Sequence, residues 1–147
     1  MLEVKKVKSF REYGLVAYIR TQVFISEQQC PAIDEFDAQE ESADHYLGFI
    51  GSDPVVTCRV LFPETGVAKI GRIATLREYR GKGYASDLLR QIIGMIENKD
   101  DISEIQMSAQ DHAIGLYEKF GFKVKGEGYI EDGLPHRLMT KELNEEK

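Results

Sequence analysis

At 147 residues, 42% of them hydrophobic, the chain fits one domain over residues 1–147. A domain of that size buries about two-thirds of the surface its unfolded form exposes, so it needs no disulfide or metal staple. A formal net charge of −6 excludes a non-specific nucleic-acid binder, because counterion release needs a dominant basic face. The chain has no apolar run near the roughly 18 residues of a membrane span, no signal-peptide core at MLEVKKVKSF and no CxxC pair around Cys30 and Cys58. It therefore reads as a cytoplasmic protein without a metal site.

In chain order, LEVKKVK (2–8) alternates apolar and polar residues as a strand does. From Ser9 to about Gln28, apolar residues at Phe10, Tyr13, Val16, Ala17, Ile19, Val23 and Phe24 follow helical spacing. This predicts one long helix or two short ones, with Ser9 as N-cap. CPAIDEFDAQEESADH is polar and acidic, broken by Pro31, and reads as a loop. HYLGFIG (45–51), PVVTCRVLF (54–62) and VAKIGRIAT (67–75), joined by SDP and PETG, predict an antiparallel meander.

From Gly81 to about Lys99, the stripe Leu88, Leu89, Ile92, Ile93 and Ile96 predicts a helix packed on a sheet. EIQMSA (104–109) is the next strand, and DHAIGLYEKF a shorter helix stopped by Gly121 as a left-handed cap. FKVKGEGYI and HRLMTKEL close the chain as strands around EDGLP, and NEEK frays. The order indicates a mixed α/β fold.

RGKGYA (80–85) joins a strand end to a helix start, where free N–H groups meet the positive end of the helix dipole. Gly81 and Gly83 let the backbone approach an anion, and Arg80 and Lys82 add charge. Arg77, Arg80 and Lys82 against Glu78 leave a local charge of +2 in an acidic chain. The segment is not a P-loop, since Tyr84 follows Gly83 and no Lys-Ser/Thr pair is present. It is a poor dinucleotide fingerprint, because Ser86 stands at the third glycine and no βαβ unit precedes it.

The form R-x-x-G-x-A, carried by Arg80, Gly83 and Ala85, resembles the pyrophosphate loop of the GNAT superfamily of acyl-CoA-dependent N-acyltransferases. LYEKFGF (116–122) resembles that superfamily's later helix, with Tyr117 at the position facing the CoA sulfur. RTQVFISEQQCPAIDEFDAQEESADHY, KIGRIAT and EDGLPHRLM are similar to its ElaA-like branch, so the resemblance spans roughly Arg20 to Met139.

The resemblance implies a GNAT fold, with a mixed, mostly antiparallel sheet flanked by about four helices. It also implies a bulge that splays VAKIGRIAT from EIQMSA to admit the pantetheine arm. Ile73, Ala74 and Thr75 would then offer backbone groups to that arm and the acetyl carbonyl. Arg80, Gly81, Lys82, Gly83, Tyr84 and Ala85 would hold the pyrophosphate of acetyl-CoA, and Gln110 would take the usual asparagine position.

The function implied is acetyl transfer to a primary amine of a small acceptor by direct attack in a ternary complex, and a carboxylate gripped by Arg59 or Arg72 would make that acceptor amino-acid-like. Alternatives are a non-catalytic acyl-CoA-binding sensor and a nucleotide-phosphate binder. The partner is a small-molecule amine, without nucleic acid or membrane, and the chain is a monomer or a homodimer.

Tyr117 is the group expected to meet the leaving thiolate. The base is open, since the family's glutamate on the strand before the loop is Lys69 here. His45, His136, Glu27 and Asp44 are candidates, because a histidine near its ordinary value of about 6.5 accepts a proton at neutral pH. His112 reads as solvated. The acidic loop Asp34–Asp44 lacks the EF-hand glycine, so it suits a solvated lip that attracts ammonium rather than a calcium site.

Arg59 and Arg72 stand inside strand patterns. Strict alternation puts Arg59 with Val55 and Thr57, and Arg72 with Ile70 and Ala74. Each pairs with a carboxylate such as Glu27, Glu35 or Asp37, or else reaches the cleft and grips an acceptor carboxylate.

Overall fold

A computed structural model describes residues 1–131 and 133–143, so Asp132 of the EDGLP turn and the NEEK tail lie outside the described residues. The alternating LEVKKVK forms strand β1 (Glu3–Lys6). The Ser9 side chain accepts from the Glu12 N–H and caps α1 (Phe10–Arg20). The chain then runs on into a wider π-helical stretch, Thr21–Glu27, instead of breaking into a second α-helix. That wide turn carries Phe24 to the wall of the cleft while Val23 stays buried.

The acidic segment expected as a loop contains two short turns, α2 (Ala32–Glu35) and a 3₁₀ turn at Ala38–Glu41. Pro31 sets the extended backbone before the first, and Asp37 caps the second by accepting from the Gln39 N–H.

The meander forms as expected from β2 (Asp44–Ile50), β3 (Asp53–Glu64) and β4 (Val67–Thr75), all antiparallel. Helix α3 spans Tyr84–Glu97 and buries the predicted stripe. It starts three residues after Gly81 because Gly83, the N-cap, is left-handed at φ 82. Strand β5 (Glu104–Gln110) leads through a 3₁₀ turn, Asp111–Ala113, into the short α4 (Ile114–Glu118). Gly121 then turns the chain at φ 93 into β6 (Lys123–Glu131) and β7 (Leu134–Glu142).

The seven strands pair in the order β1-β2-β3-β4-β5-β7-β6. The β4–β5 pair alone is parallel, as the α3 crossover between them requires. One face of the sheet packs on α3, where Val56, Cys58, Val60, Ile70 and Met107 join the helix stripe. The other face packs on α1, where Leu47 and Ala74 meet Val16 and Ile19. Beyond α1 that second face is only partly buried, with His136 and Thr140 of β7 buried and their β5 partners Gln110 and Gln106 half-exposed. Ser108 and Gln110 stand there half-exposed, while Met107 and Ala109, which alternate with them, are buried. No helix among the described residues is long and apolar enough to cross a membrane.

Candidate functional site: a cleft where two parallel strands part

Strands β4 and β5 pair from Val67↔Glu104 to Ile70↔Met107 and then separate, although one continues to Thr75 and the other to Gln110. The cause is an extra residue on β4. Gly71 faces Arg59 and Ala74 faces Thr57, so Arg72 and Ile73 share the place opposite Cys58. Arg72 adopts φ 51 to make the bulge, and a bulge re-aims the strand and ends its pairing. The resulting cavity has Gly71, Arg72 and Ile73 on one side and Ser108 and Gln110 on the other.

The bulge corrects the alternation argument for the arginines. Ile70 lies in the core under α3 and Ala74 in the core under α1, so Arg72 does not share one face with both. Val55 is itself the extra residue of a second bulge, between the Gly48↔Val56 and Phe49↔Pro54 pairs, and packs in the α3 core. Arg59 and Arg72 nevertheless reach the same side of the sheet, since both hold Asp37.

Tyr117 comes to the cavity from α4, on the α3 side of the sheet. Burial pushes its hydroxyl up to about 12, and nearby Cys58 adds to the rise. The phenol therefore stays protonated, and a donor, throughout the neutral range. His136 enters from β7, opposite Gln110 of β5, and is 6% exposed. Its Nδ1 lies 2.8 Å from the Leu134 carbonyl. A carbonyl only accepts, so Nδ1 carries the hydrogen and Nε2 keeps a lone pair in the neutral ring. The ring stacks on Tyr129 with centroids 6.1 Å apart. His112 is exposed, with Nε2 2.8 Å from Gln110 Oε1, and Gln110 Nε2 donates to Gln28 at 3.4 Å.

The basic loop has the geometry of an anion cradle. Gly81 and Gly83 sit at φ 78 and 82, and a Cβ at either would meet no atom within 4 Å, so the space above them is open. The first backbone bond into the helix runs from Asp87 N–H to Gly83 O at 3.0 Å. The N–H groups of Gly81 to Ser86 have no partner among the described residues. Donors at a helix start with open space before them fit a pyrophosphate. Arg80 does not point freely at that space. Its Nε donates to Thr75 O at 2.9 Å and its Nη2 to Glu27 Oε1 at 2.6 Å.

Glu27, offered by the sequence as a base and as a partner of Arg59 or Arg72, is thus engaged by Arg80 and, at 3.8 Å, by Arg77 instead. His45 lies elsewhere. It lines a separate cavity with Phe10, Tyr13 and Glu40, edge-on to Tyr13, because β2 carries it to the α1 side near β1. Asp44 pairs with Lys6 at 3.6 Å.

Arg59 is 4% exposed and fully engaged, forking onto Asp37 at 2.9 and 3.0 Å and reaching Glu40 at 2.7 Å. Arg72 lies 3.2 Å from Glu35 and 3.4 Å from Asp37. With Arg20, which holds Glu35 and Glu40 at 2.7 Å each, these arginines pin the acidic segment to the sheet. Of the six carboxylates from Asp34 to Asp44, Glu35, Asp37 and Glu40 are thus consumed by arginines and Asp44 by Lys6, leaving Asp34 and Glu41 outside any ion pair among the described residues. Asp37 falls below the usual carboxylate range through its hydrogen bond to Arg59. Glu35 rises, because its burial outweighs its arginines.

A second stretch of cleft adjoins the first and shares Ile70, Gly71, Arg72, Ser108 and Glu131 with it. Glu131 was not drawn from EDGLPHRLM by sequence reasoning. It accepts from Ser108 Oγ at 3.3 Å, and Ser108 also contacts the Tyr129 hydroxyl. The available signal was its parity with Tyr129 on a strand facing His136. No three His, Cys, Asp or Glu side chains among the described residues converge to hold a metal.

The family profile described as "Acetyltransferase (GNAT) domain" matches residues 17–143. Among curated proteins, "Putative acetyltransferase BSU40680" of Bacillus subtilis (strain 168) is 36% identical, over 96% of this chain and 97% of its own. Among solved structures, an acyl-CoA N-acyltransferase from Pseudomonas aeruginosa superposes with a TM-score of 0.82 at 26% identity, over 96% of this chain and 98% of its own. Escherichia coli ElaA does so with a TM-score of 0.81 at 26% identity, over 96% and 99%.

Proposed function

Because the chain belongs to the GNAT acetyltransferase family and is an N-acetyltransferase, we propose that it moves an acetyl group from acetyl-CoA to the primary amine of a small acceptor. Transfer is by direct attack in a ternary complex. The observation that carries this reading is the parting of β4 and β5, with Tyr117 and His136 lining one cavity. The donor is the fitting partner for the loop, whose open N–H groups and paired glycines suit a pyrophosphate.

Acetyl-CoA supplies the acetyl group as a thioester, whose C–S bond breaks as the C–N bond to the amine forms. Gly81 to Ala85 hold its phosphates, and Ile73, Ala74 and Thr75, whose edge toward β5 is released where the two strands part, lie along the arm with Gln110 beside it. An amide at that strand end faces the charge that builds on the carbonyl oxygen, an effect worth about 10²–10³ in rate for a well-placed donor. Tyr117 donates a hydrogen bond to the departing sulfur. With its hydroxyl at about 12 and a thiol near 8.5, full proton transfer is uphill by roughly 10³, so Tyr117 acts by hydrogen bonding. His136 Nε2 takes the proton the amine sheds and passes it to solvent.

The test is thiol release from acetyl-CoA across a panel of primary amines, with the acetylated amine identified by mass. Stoichiometric thiol and N-acetyl product are expected. Tight CoA binding with no transfer to any amine would overturn the reading in favour of an acyl-CoA sensor.

A further inference from the structure

We propose that Lys69 and Glu131 form a charge pair for a zwitterionic acceptor, with Lys69 taking the carboxylate and Glu131 the ammonium of an amino acid. This rests on the acyl-transfer reading of the same cleft. Lys69 faces Leu61 of β3 and Gln106 of β5 in the strand registers, and it lines the outer stretch of the cleft. Glu131 lines both stretches, so it stands between Lys69 and the part that holds Tyr117 and His136.

The other charges there are spoken for, apart from the exposed carboxylate of Asp34. Arg59 and Arg72 are held by Asp37, Glu40 and Glu35. Lys69 has no carboxylate within ion-pair distance among the described residues, and Glu131 has no cation. Lys69 is the one unpaired lysine or arginine lining the cleft among the described residues, and Glu131 is its half-buried unpaired carboxylate. Asp34 is unpaired too but exposed, and Lys69 and Glu131 do not meet each other.

A partly buried ammonium and carboxylate left apart are each short of a partner, and a ligand that carries the complementary charges satisfies both. The order along the cleft sets the orientation. The acceptor amine lies by Glu131, next to His136 and Tyr117, and the carboxylate lies outward on Lys69. An α-amino acid spans that arrangement. A simple amine leaves Lys69 unmet, and a diamine brings a second cation against it.

The experiment titrates the full-length protein, saturated with CoA, with matched pairs that differ only in the carboxylate: phenylalanine and phenethylamine, leucine and isopentylamine, arginine and agmatine. In at least one pair the amino acid should bind about tenfold tighter or more, the value of one charge-assisted contact. Lys69→Met should erase that preference, and Lys69→Glu should reverse it. Glu131→Gln should weaken both members of the pair alike. The Kd of CoA, measured first on each variant, should stay at the wild-type value and reports that the fold is intact.

Equal binding within every pair, no binding by any member, or a preference that survives in Lys69→Met would each overturn the proposal. Amines acetylated without regard to a carboxylate would sink it and leave acyl transfer standing. A zwitterion preference without turnover would do the reverse.

Discussion

The Arg80 guanidinium sits 2.6 Å from the Glu27 carboxylate and joins the phosphate loop to the end of the π-helical stretch. The cation counted from sequence as a free phosphate ligand is therefore already neutralised in the fold. Glu27 and the phosphates compete for it. Glu27→Gln should tighten CoA about fivefold at low salt, an effect shrinking as salt rises, while Arg80→Met should loosen it. Calorimetry in a salt series checks this, and weaker binding by Glu27→Gln would mean that the pair only holds the loop in shape.

Tyr117→Phe removes one hydroxyl and keeps the ring in the core under α3. The turnover number should fall about 10²-fold with CoA affinity unchanged. Single-turnover kinetics, which isolate the chemical step, are the measurement. An unchanged chemical step would remove Tyr117 from the reaction.

For His136, substitution by Gln keeps a planar polar side chain beside Leu134 O and removes the basic nitrogen. The value of kcat/KM should drop about 10²-fold. Added imidazole should restore part of it if the lost function is proton acceptance, whereas a purely structural role would give no rescue.

Arg20 and Glu35 are 1% and 2% exposed and lie 2.7 Å apart, with Arg20 also over the Phe36 ring at 4.9 Å. Removing one partner strands a buried charge. Arg20→Met or Glu35→Leu should each cost about 3–5 kcal/mol in urea denaturation. The double variant should lose less than the two singles together, by about 1–3 kcal/mol. Strict additivity would show that the pair is not coupled.

Alkaline pH should unfold the protein by a route that runs through Cys58. Burial pushes its thiol up to about 12, and the hydroxyls of Tyr46 and Tyr117 also rise to about 12. The unfolded chain releases these protons first, near 8.5–9 for cysteine and about 10 for tyrosine. The stability they contribute is whole below those values and is lost as pH climbs toward 12. The unfolding free energy should be level to about pH 8.5, then fall by up to roughly 1.4 kcal/mol per pH unit from Cys58 alone, and faster above about 10. Cys58→Val should flatten the slope between about pH 9 and 10, and an identical slope would refute the assignment.

What the sequence determined by itself was everything that local periodicity and short motifs encode. The α3 stripe, the meander, the Ser9 cap, the Gly121 turn and the family likeness of RGKGYA and LYEKFGF were all legible, because each depends on residues within a few positions of one another. The tertiary structure decided where charge goes. Arg72 and Glu35 are 37 positions apart, and Glu27 and Arg80 are 53. Nothing local says that these will meet. Strict alternation also failed at Arg72, since one extra residue at φ 51 carries the next side chain to the other face. That same residue opens the cleft. A bulge is a mismatch between two strands, so one strand's sequence carries it only faintly, whereas the register of both strands together makes it plain.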